Sequence, residues 1–314
     1  MAICFYHSPC SDGIVSVGLV SKYIKDIELV GVKAGCKELT ADDYHDKELL
    51  FVDLCPEKGL LLQLLENFCE ITIWDHHKSS QVAINEVQHA KLNVVFDMER
   101  SGCQITFDCL AGSEETSRPW VVDYVGDRDL WKFQLPNSKM INLGLFEFEY
   151  LTLEGLDKLP KGNIDNPEVQ KFINEELLPK TQIIDEKHQR MMKYDVWKSL
   201  EMEMVVPGHE KKYRVWLGQT YSTLVSEFGH LLYVTPFKDG TMPDFAVVWS
   251  YNLKLCQWGC SLRGGKREDL EGDGIDLSEI AAAYGGGGHK AAAGFKISPQ
   301  DFNYWDIFTP LNES

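Results

Sequence analysis

Short apolar runs and amphipathic segments alternate along the first half of the chain. The apolar runs are rich in β-branched and aromatic residues and have the length of buried strands. They occupy residues 2–7, 29–35, 48–56, 70–77 and 92–99. Between them, residues 14–24 and 57–68 carry apolar side chains at helical spacing. This alternation is typical of a parallel sheet covered by helices, so it predicts an α/β domain over residues 1–155.

The pattern changes beyond this domain. Residues 156–200 are charged, have apolar residues at helical intervals and are interrupted by Pro179, which predicts a helical connector. Further elements are predicted as strands near 213–217, 245–251 and 255–265, a helix near 222–232, and a Gly-rich segment at 281–295. Together they predict a smaller C-terminal α/β domain over residues 201–314.

Composition and charge narrow the function classes. The chain has 314 residues, 44% of them hydrophobic, which is enough for two folded domains. Its apolar runs are shorter than the roughly 18 residues that cross a bilayer, so we expect a cytoplasmic protein with no membrane association. Many of the nine cysteines lie in apolar segments, as reduced thiols do. The net charge of −17 argues against binding of long duplex nucleic acid, although short phosphate compounds remain possible ligands.

Ionisable residues stand where the predicted strands end. In an open α/β sheet this edge borders the crevice in which ligands bind. The candidates lie in four segments, "HSPCSDG" with His7, Cys10 and Asp12, "FVDLCP" with Asp53, "EITIWDHHKSS" with Asp75, His76, His77 and Lys78, and "WVVDYVGDRDLW" with Asp127 and Asp129. We expect all four segments to meet at one edge of the sheet.

Each of these residues alone has an ordinary structural interpretation. An aspartate at a strand end is most often a helix cap or a turn residue, and a lone histidine is more often a satisfied surface or core group than a ligand. Several carboxylates gathered without a cation would repel one another, however, and a divalent cation resolves that conflict. Mixed carboxylate and imidazole ligands suit manganese, iron or zinc better than calcium. The pattern also accommodates a two-metal centre, since Asp53 follows a central strand and could bridge two ions.

The ordered set of motifs resembles the DHH phosphoesterases. "WDHH" is similar to the motif that names the family, and the four segments above resemble its metal motifs. The later "GGGGHKAAAGF", preceded by "SLRGG", resembles the DHH-associated C-terminal domain. The similarity is to the RecJ and nanoRNase-like members, in the branch whose first motif contains cysteine. The resemblance spans nearly the whole chain.

The resemblance implies a role for each matching residue. His7 would ligate one metal, while Asp12, His76 and Asp127 would ligate the other, with Asp129 as the substitute for Asp127. Asp53 would bridge the ions. Asp75 would orient His76, and His77 would lie beside the scissile phosphate. In the second domain, phosphate would be held by Arg263 and His289 and approached closely by the backbone of Gly285, Gly286, Gly287 and Gly288. A flexible loop is the alternative interpretation of these glycines.

Cys10 departs from the usual first motif of the family. Two aspartates normally follow the histidine there, spaced by one residue, whereas here Cys10 takes the first position and His7 is one residue closer. A thiolate is a softer ligand than a carboxylate, so zinc or iron competes with the manganese that the family resemblance favours. One or two ions remain possible.

Three further side chains have two interpretations each. Arg128 and Trp131 could contact a base or a phosphate, although a tryptophan on a helix is more often a core residue. Lys78 is equally a phosphate contact or a solvated side chain.

The resemblance implies a metal-dependent phosphodiesterase with its active site in the cleft between the two domains. Deprotonated water would attack phosphorus in line and leave a 5′-phosphorylated product. The expected substrate is small: a short oligonucleotide, a linear or cyclic dinucleotide, or a phosphorylated nucleotide. The alternatives are a pyrophosphatase or polyphosphatase, and a catalytically degenerate member that binds a nucleotide or a protein. A homodimer is possible.

Overall fold

A computed structural model describes residues 2–111, 117–267, 274–298, 300 and 304–311. The chain divides into two compact units, Met1–Asp185 and Glu186–Ser314. This division falls inside the segment for which the sequence predicts a separate connector. Among the described residues, no helix combines the length and the apolar character needed to span a membrane.

A five-stranded parallel sheet forms the centre of the first unit. Its strands are β1 (Ile3–His7), β2 (Glu28–Val32), β3 (Glu48–Val52), β4 (Glu70–Asp75) and β5 (Leu92–Phe96). They lie in the order β2-β1-β3-β4-β5, and every neighbouring pair is parallel. All five strands match those predicted from the sequence.

The first unit also contains helices, some of which pack on the sheet while others pack on those helices. They are α1 (Ser11–Tyr23), α2 (Lys58–Glu66), α3 (Gln81–Glu86), α4 (Gly102–Ala111), α5 (Trp120–Asp129), α6 (Ser138–Glu147) and α7 (Leu153–Lys158). Short 3₁₀ turns occupy Ala41–Asp43 and Lys78–Ser80. Residues 120–129 therefore form a helix, although the sequence interpretation treated their apolar run as the end of a strand.

Alternation along the strands creates two buried faces. Phe5 and Phe51 are paired across β1 and β3, stack with ring centroids 4.9 Å apart, and pack with the leucines of α2. Cys4 and Val52 belong to the opposite face and pack with Val17 of α1. Successive residues of a strand point to opposite faces of a sheet, so the strands are apolar throughout and helices cover both sides.

One long helical segment leads from the first unit into the second. It consists of α8 (Pro167–Lys171), a π-helical stretch (Phe172–Leu177) and α9 (Leu178–Lys198). Pro179 lies at the start of α9, where its missing N–H removes one intrahelical hydrogen bond. The widened π-helical turn directly before the proline is the local adjustment to this lost donor.

The second unit contains a seven-stranded mixed sheet. Its strands are β6 (Leu200–Met204), β7 (Tyr213–Gly218), β8 (Phe245–Asn252), β9 (Gln257–Arg263), β10 (Gly287–Gly288), β11 (Ala292–Ile297) and β12 (Phe308–Pro310). They lie in the order β10-β11-β9-β8-β7-β6-β12, and only the β7–β8 pair is parallel among them. The helices of this unit are a 3₁₀ turn (Ser222–Leu224), α10 (Val225–Tyr233), α11 (Leu277–Ala282) and α12 (Tyr304–Ile307).

Candidate metal centre

The candidate site lies where strands β1 and β3 of the first sheet end, at the point where the strand order reverses. The chain leaves β1 toward β2 on one side and continues from β3 toward β4 on the other, so the β1–β3 junction is where the connections diverge. His7 is the last residue of β1, and Asp53 directly follows β3. Asp53 has a left-handed backbone with φ of 60°, which is uncommon for residues other than glycine. This turn places a fully buried carboxylate at the crevice.

The two oxygens of Asp53 face different histidines. Oδ2 lies 3.3 Å from His7 Nδ1, and Oδ1 lies 3.2 Å from His76 Nε2. A carboxylate that presents one oxygen to each of two imidazole nitrogens has the arrangement of a bridging ligand. The bridging role that the family resemblance implies for Asp53 is consistent with this geometry.

A first donor group surrounds the Oδ2 side of Asp53. His7, Cys10 and Asp53 offer one nitrogen, one sulfur and one oxygen within 4.8 Å of one another. Cys10 is the residue that precedes α1, and the backbone N–H of Gly13 in the first turn of that helix approaches its sulfur. The sulfur therefore faces the first turn of α1 as well as the other two donors of the group.

A second donor group surrounds His76. The Nε2 atom of His76 lies 3.6 Å from Asp12 Oδ2 and 3.4 Å from Asp129 Oδ2. These three residues form a set of possible ligands within 4.8 Å of one another. Asp53 Oδ1 approaches the same nitrogen, so the two donor groups are adjacent and share Asp53.

Asp129, and not Asp127, reaches the second donor group. The carboxylate of Asp127 accepts hydrogen bonds from the backbone N–H groups of Gln134 (2.9 Å) and Leu135 (3.2 Å). Residues two apart on a helix project about 200° apart around its axis, so α5 can direct only one of the two aspartates into the cluster. The structure thus brings Asp129, which the sequence analysis gave as the substitute for Asp127, into this group and leaves Asp127 outside it. Which of the two ligates a metal stays a prediction.

Asp75 contacts His77 rather than the ring of His76. Its Oδ1 lies 2.7 Å from His77 Nδ1 and accepts a hydrogen bond from the backbone N–H of His76 at 2.8 Å. Asp75 therefore contacts the ring of His77 and the backbone of His76, and its role in orienting His76 stays a prediction. Burial opposes the charged form of His77, but the charge of Asp75 and the hydrogen bond to it outweigh burial and raise the pKa of the imidazole to about 9.

The first N–H groups of α4 donate hydrogen bonds to the carboxylate of Asp12. The sequence interpretation missed this contact. Asp12 Oδ2 accepts a hydrogen bond from Gly102 N–H at 2.5 Å, and Oδ1 accepts one from Cys103 N–H at 2.9 Å. The first N–H groups of a helix have no partner inside the helix, and its N-terminus favours negative charge. "RSGCQITF" carries a recognisable helix-start signal, but nothing in the local sequence indicates that Asp12, far away in the chain, caps it.

Gly102 also sets the position of Asp53. A Cβ at residue 102 would lie 2.6 Å from Asp53 Cβ and 2.7 Å from its Oδ1, which is closer than atoms can approach. We expect Gly102→Ala to displace Asp53 and to weaken metal binding about 10- to 100-fold, as changes next to a ligand do. The measurement is isothermal titration of the metal-free protein with Mn²⁺.

Gly59→Ala in α2 is the matched control for Gly102→Ala, because a Cβ at residue 59 would have no atom within 4 Å. That variant should bind Mn²⁺ as the wild type does and gain up to about 1 kcal/mol of stability from helix propensity. Equal affinity of the two variants would show that α4 does not position the cluster.

The electrostatics of the cluster are those of carboxylates that need a cation. Burial, together with the nearby charges of Asp53 and Asp129, raises the pKa of Asp12 well above its usual value. Burial opposes the charged form of His76, but the hydrogen bond to Asp53 and the neighbouring carboxylates outweigh it and raise the pKa to about 10. Protons therefore neutralise carboxylates that would otherwise repel one another.

The donor set fits a divalent cation. Asp129 Oδ2 is buried and accepts no hydrogen bond from any residue in the described part of the chain. A buried carboxylate oxygen without a hydrogen-bond donor is costly, and a divalent cation would offset that cost. Imidazole, carboxylate and thiolate donors together suit manganese, iron or zinc.

Arg263 and His289 lie at one end of the second unit's sheet. Arg263 ends β9 and pairs with Ala292 of β11, whereas His289 directly follows β10 and donates its backbone N–H to the carbonyl of Ala292 at 2.8 Å. The guanidinium of Arg263 also donates to Ser226 Oγ at 2.9 Å. The structure thus brings these two predicted phosphate ligands to one edge of one sheet.

Close packing and backbone conformation explain why two positions of the predicted phosphate loop are glycine. A Cβ at Gly286 would lie 2.2 Å from the carbonyl oxygen of Gly294, and Gly288 has φ of 138°, a conformation that other residues rarely adopt. Gly287 and Gly288 pair with β11 as strand β10. These glycines are therefore packed against a strand, which differs from the flexible-loop alternative.

Comparisons with known proteins give distant similarities. No protein-family model matches the chain. An uncharacterized protein of Acanthamoeba polyphaga mimivirus is 25% identical to it, over 94% of this chain and 67% of that protein.

Two solved structures have weak similarity to the chain. An uncharacterized protein from Helicobacter pylori has a TM-score of 0.40 and 16% identity, over 98% of this chain and 96% of that one. The pGpG-specific phosphodiesterase PggH from Vibrio cholerae has a TM-score of 0.45 and 12% identity, over 96% of this chain and 94% of that one. Both TM-scores are below 0.5, so neither similarity identifies the activity of this chain.

Proposed function

We propose that this protein is a metal-dependent phosphodiesterase that hydrolyses short nucleotide phosphodiesters at the cluster around Asp53. The observation that carries the proposal is the position of the Asp53 carboxylate, with one oxygen toward His7 and the other toward His76. Two adjacent donor groups that share a carboxylate are the arrangement that phosphoryl-transfer enzymes with two metal ions use. The order of motifs that resembles the DHH phosphoesterases supports the same activity.

Divalent ions held by these residues would supply Lewis acidity toward a phosphate oxygen and a water of lowered pKa. The first donor group (His7, Cys10, Asp53) and the second (Asp12, Asp53, His76, Asp129) would each hold one ion. Manganese is the ion we propose, and the sulfur of Cys10 makes zinc or iron the alternative in the first group.

The side chains around the cluster have separate tasks in this proposal. His77, whose Nδ1 lies 2.7 Å from Asp75 Oδ1, would hydrogen-bond a phosphate oxygen beside the cluster. Asp75 would act as a positioning residue, because it contacts the ring of His77 and the backbone N–H of His76. Burial of Asp12, Asp53 and His76 excludes bulk water, and charges interact more strongly where water is excluded.

Substrate binding is proposed for Arg263 and His289 of the second unit. A guanidinium recognises phosphate through paired N–H donors, and the edge shared by these residues would offer two phosphate contacts. The net charge of −17 gives no electrostatic track for a long strand, which favours dinucleotides and short oligonucleotides as substrates.

The test of this proposal is a substrate series with Mn²⁺ in the assay. We expect kcat/KM to be highest for lengths of about two to five nucleotides and to fall toward an oligomer of about 24, because no basic track holds the longer strand. Arg263→Ala and His289→Ala should each raise KM about tenfold or more, the loss expected for a charge-assisted hydrogen bond of about 1.5–3 kcal/mol. Metal content should stay unchanged in both variants.

Lys254→Ala is the control for lost positive charge, since this lysine is exposed on the β8–β9 turn. A rate that rises with length, or variants that lose metal with activity, would contradict the division of tasks. Hydrolysis of pyrophosphate without any diesterase activity would favour the phosphatase alternative. Inertness toward all phosphate esters with several metals would favour the binding protein.

A further inference from the structure

Two aromatic side chains lie in the turn that directly follows Asp129. The rings of Trp131 and Phe133 meet edge to face, with centroids 4.8 Å apart and planes at 72°. We call these two side chains the aromatic corner. Both residues are half-buried, so part of the corner is open to solvent. Two peptide units separate Trp131 from the proposed metal ligand Asp129, so their Cα atoms are at most about 7 Å apart.

The backbone of this turn has an unfavourable conformation at both aromatic residues. Trp131 has φ of 54° and Phe133 has φ of 48°. This left-handed region is uncommon for side chains other than glycine and asparagine, and bulky aromatic residues rarely adopt it. Strain of this kind persists only where the surrounding structure imposes it, and it concentrates at sites of function.

Asp127 imposes this conformation. Its carboxylate accepts from the N–H groups of Gln134 and Leu135, and its carbonyl accepts from those of Lys132 and Phe133, at distances between 2.9 and 3.4 Å. Four hydrogen bonds from one turn thus converge on one residue that is 7% exposed. Asp127 therefore has a task other than metal binding: it positions the aromatic corner relative to Asp129.

Positive charge accompanies the corner. The ammonium of Lys139 lies 4.8 Å from the centroid of the Phe133 ring, and Lys139 is exposed. An aromatic surface next to a cation suits a ligand that combines a flat π-system with a phosphate.

We propose that Trp131 and Phe133 form a base-binding subsite, on which the nucleobase adjacent to the scissile phosphate stacks. The inference rests on the proposed function, because it takes the phosphate to lie at the cluster that contains Asp129. Aromatic stacking accepts every base, since each base has a π-face, so this subsite distinguishes nucleotides from other phosphate esters without selecting a particular base. Trp131 and Phe133 are thus specificity residues for the class of substrate.

The test is a binding measurement that needs no turnover. The full-length protein is titrated by calorimetry with adenosine 5′-monophosphate, guanosine 5′-monophosphate and ribose 5-phosphate. The wild type should bind both nucleotides about tenfold or more tightly than the base-free sugar phosphate. Trp131→Asn should lose this preference while its affinity for ribose 5-phosphate stays the same, and Trp131→Phe should keep most of the preference.

Thermal unfolding separates a binding role from a packing role. Asparagine tolerates the left-handed conformation, so Trp131→Asn should unfold at the same temperature as the wild type or a higher one. Trp197→Ala, at a tryptophan that is 77% exposed on α9, is the control and should change neither property. A Trp131→Asn protein that unfolds at lower temperature or fails to fold, with the nucleotide preference retained in Phe133→Asn, would make Trp131 a core residue and overturn the proposal.

Failure of the subsite and failure of the enzymatic proposal give different results. A wild type that hydrolyses dinucleotides but binds ribose 5-phosphate as tightly as the nucleotides would refute the subsite alone. A wild type that prefers nucleotides through Trp131 but hydrolyses no diester would refute the phosphodiesterase and leave the subsite intact. No binding of any of the three ligands would refute the subsite.

Discussion

Asp53→Asn should eliminate hydrolysis and leave the protein folded. An amide keeps the size of the side chain but cannot supply two anionic oxygens to the two donor groups, so both groups lose a ligand together. Changes at residues that merely orient ligands typically cost 10- to 100-fold in affinity or activity, so loss of the shared ligand should cost more than about a hundredfold. The measurements are kcat/KM on a dinucleotide and the number of Mn²⁺ ions bound, with circular dichroism to verify the fold.

Asp97→Asn is the matched control for Asp53→Asn. Asp97 also directly follows a strand of the same sheet, β5, but its carboxylate pairs with Arg100 at 2.8 Å and lies outside the donor groups. Metal content and hydrolysis should be unchanged in this variant. Equal losses in the two variants would indicate a general effect of charge on the sheet edge and would count against a ligand role for Asp53.

The second large expected effect is a difference in metal affinity between the Asp129→Asn and Asp127→Asn variants. Asp129→Asn should remove one ligand of the second donor group, and metal affinity and kcat/KM should both fall by more than about a hundredfold. Asp127→Asn should keep metal affinity, because its carboxylate accepts hydrogen bonds from the backbone of the following turn and belongs to neither donor group. It should instead lower the free energy of unfolding by about 1–3 kcal/mol, the cost of weakening hydrogen bonds to a charged group.

The reverse pattern would restore the sequence-based assignment. If Asp127→Asn loses metal while Asp129→Asn keeps it, α5 is rotated relative to the structure described above. Calorimetric Mn²⁺ titration and thermal denaturation of both variants distinguish the two outcomes.

The first sheet was predictable because its signals are local. Each strand is a short apolar run. Parallel strands that are buried on both faces are apolar at successive positions, so they stand out in the sequence. Asp53 and His76 could be assigned for the same reason, since both directly follow such runs. Where strands are parallel, their carboxyl ends meet at one edge, so sequence position alone placed these residues together.

The contacts that the sequence did not reveal depend on tertiary structure. Gly102 binds Asp12 although 90 residues separate them in the chain, and no local pattern encodes that pairing. The apolar run before Asp127 could be a strand or a helix by periodicity alone, and the helix changes which aspartate faces the cluster. β10 and β12 were missed because they are only two and three residues long. β6 was missed because its leucine, methionine and glutamate residues favour a helix and continue the charged helical segment, and β11 because alanine and glycine weaken its strand pattern.

The most direct measurement is a Mn²⁺ titration in which bound ions per chain and dinucleotide hydrolysis are recorded in the same samples. We predict that metal-free protein is inactive, that two ions bind per chain, and that hydrolysis rises with their occupancy. Asp53→Asn should bind fewer ions and stay inactive at any Mn²⁺ concentration, while Asp97→Asn should follow the wild type. Full hydrolysis by chelated protein, or an Asp53→Asn variant that binds ions and turns over as the wild type does, would contradict metal-dependent hydrolysis at Asp53.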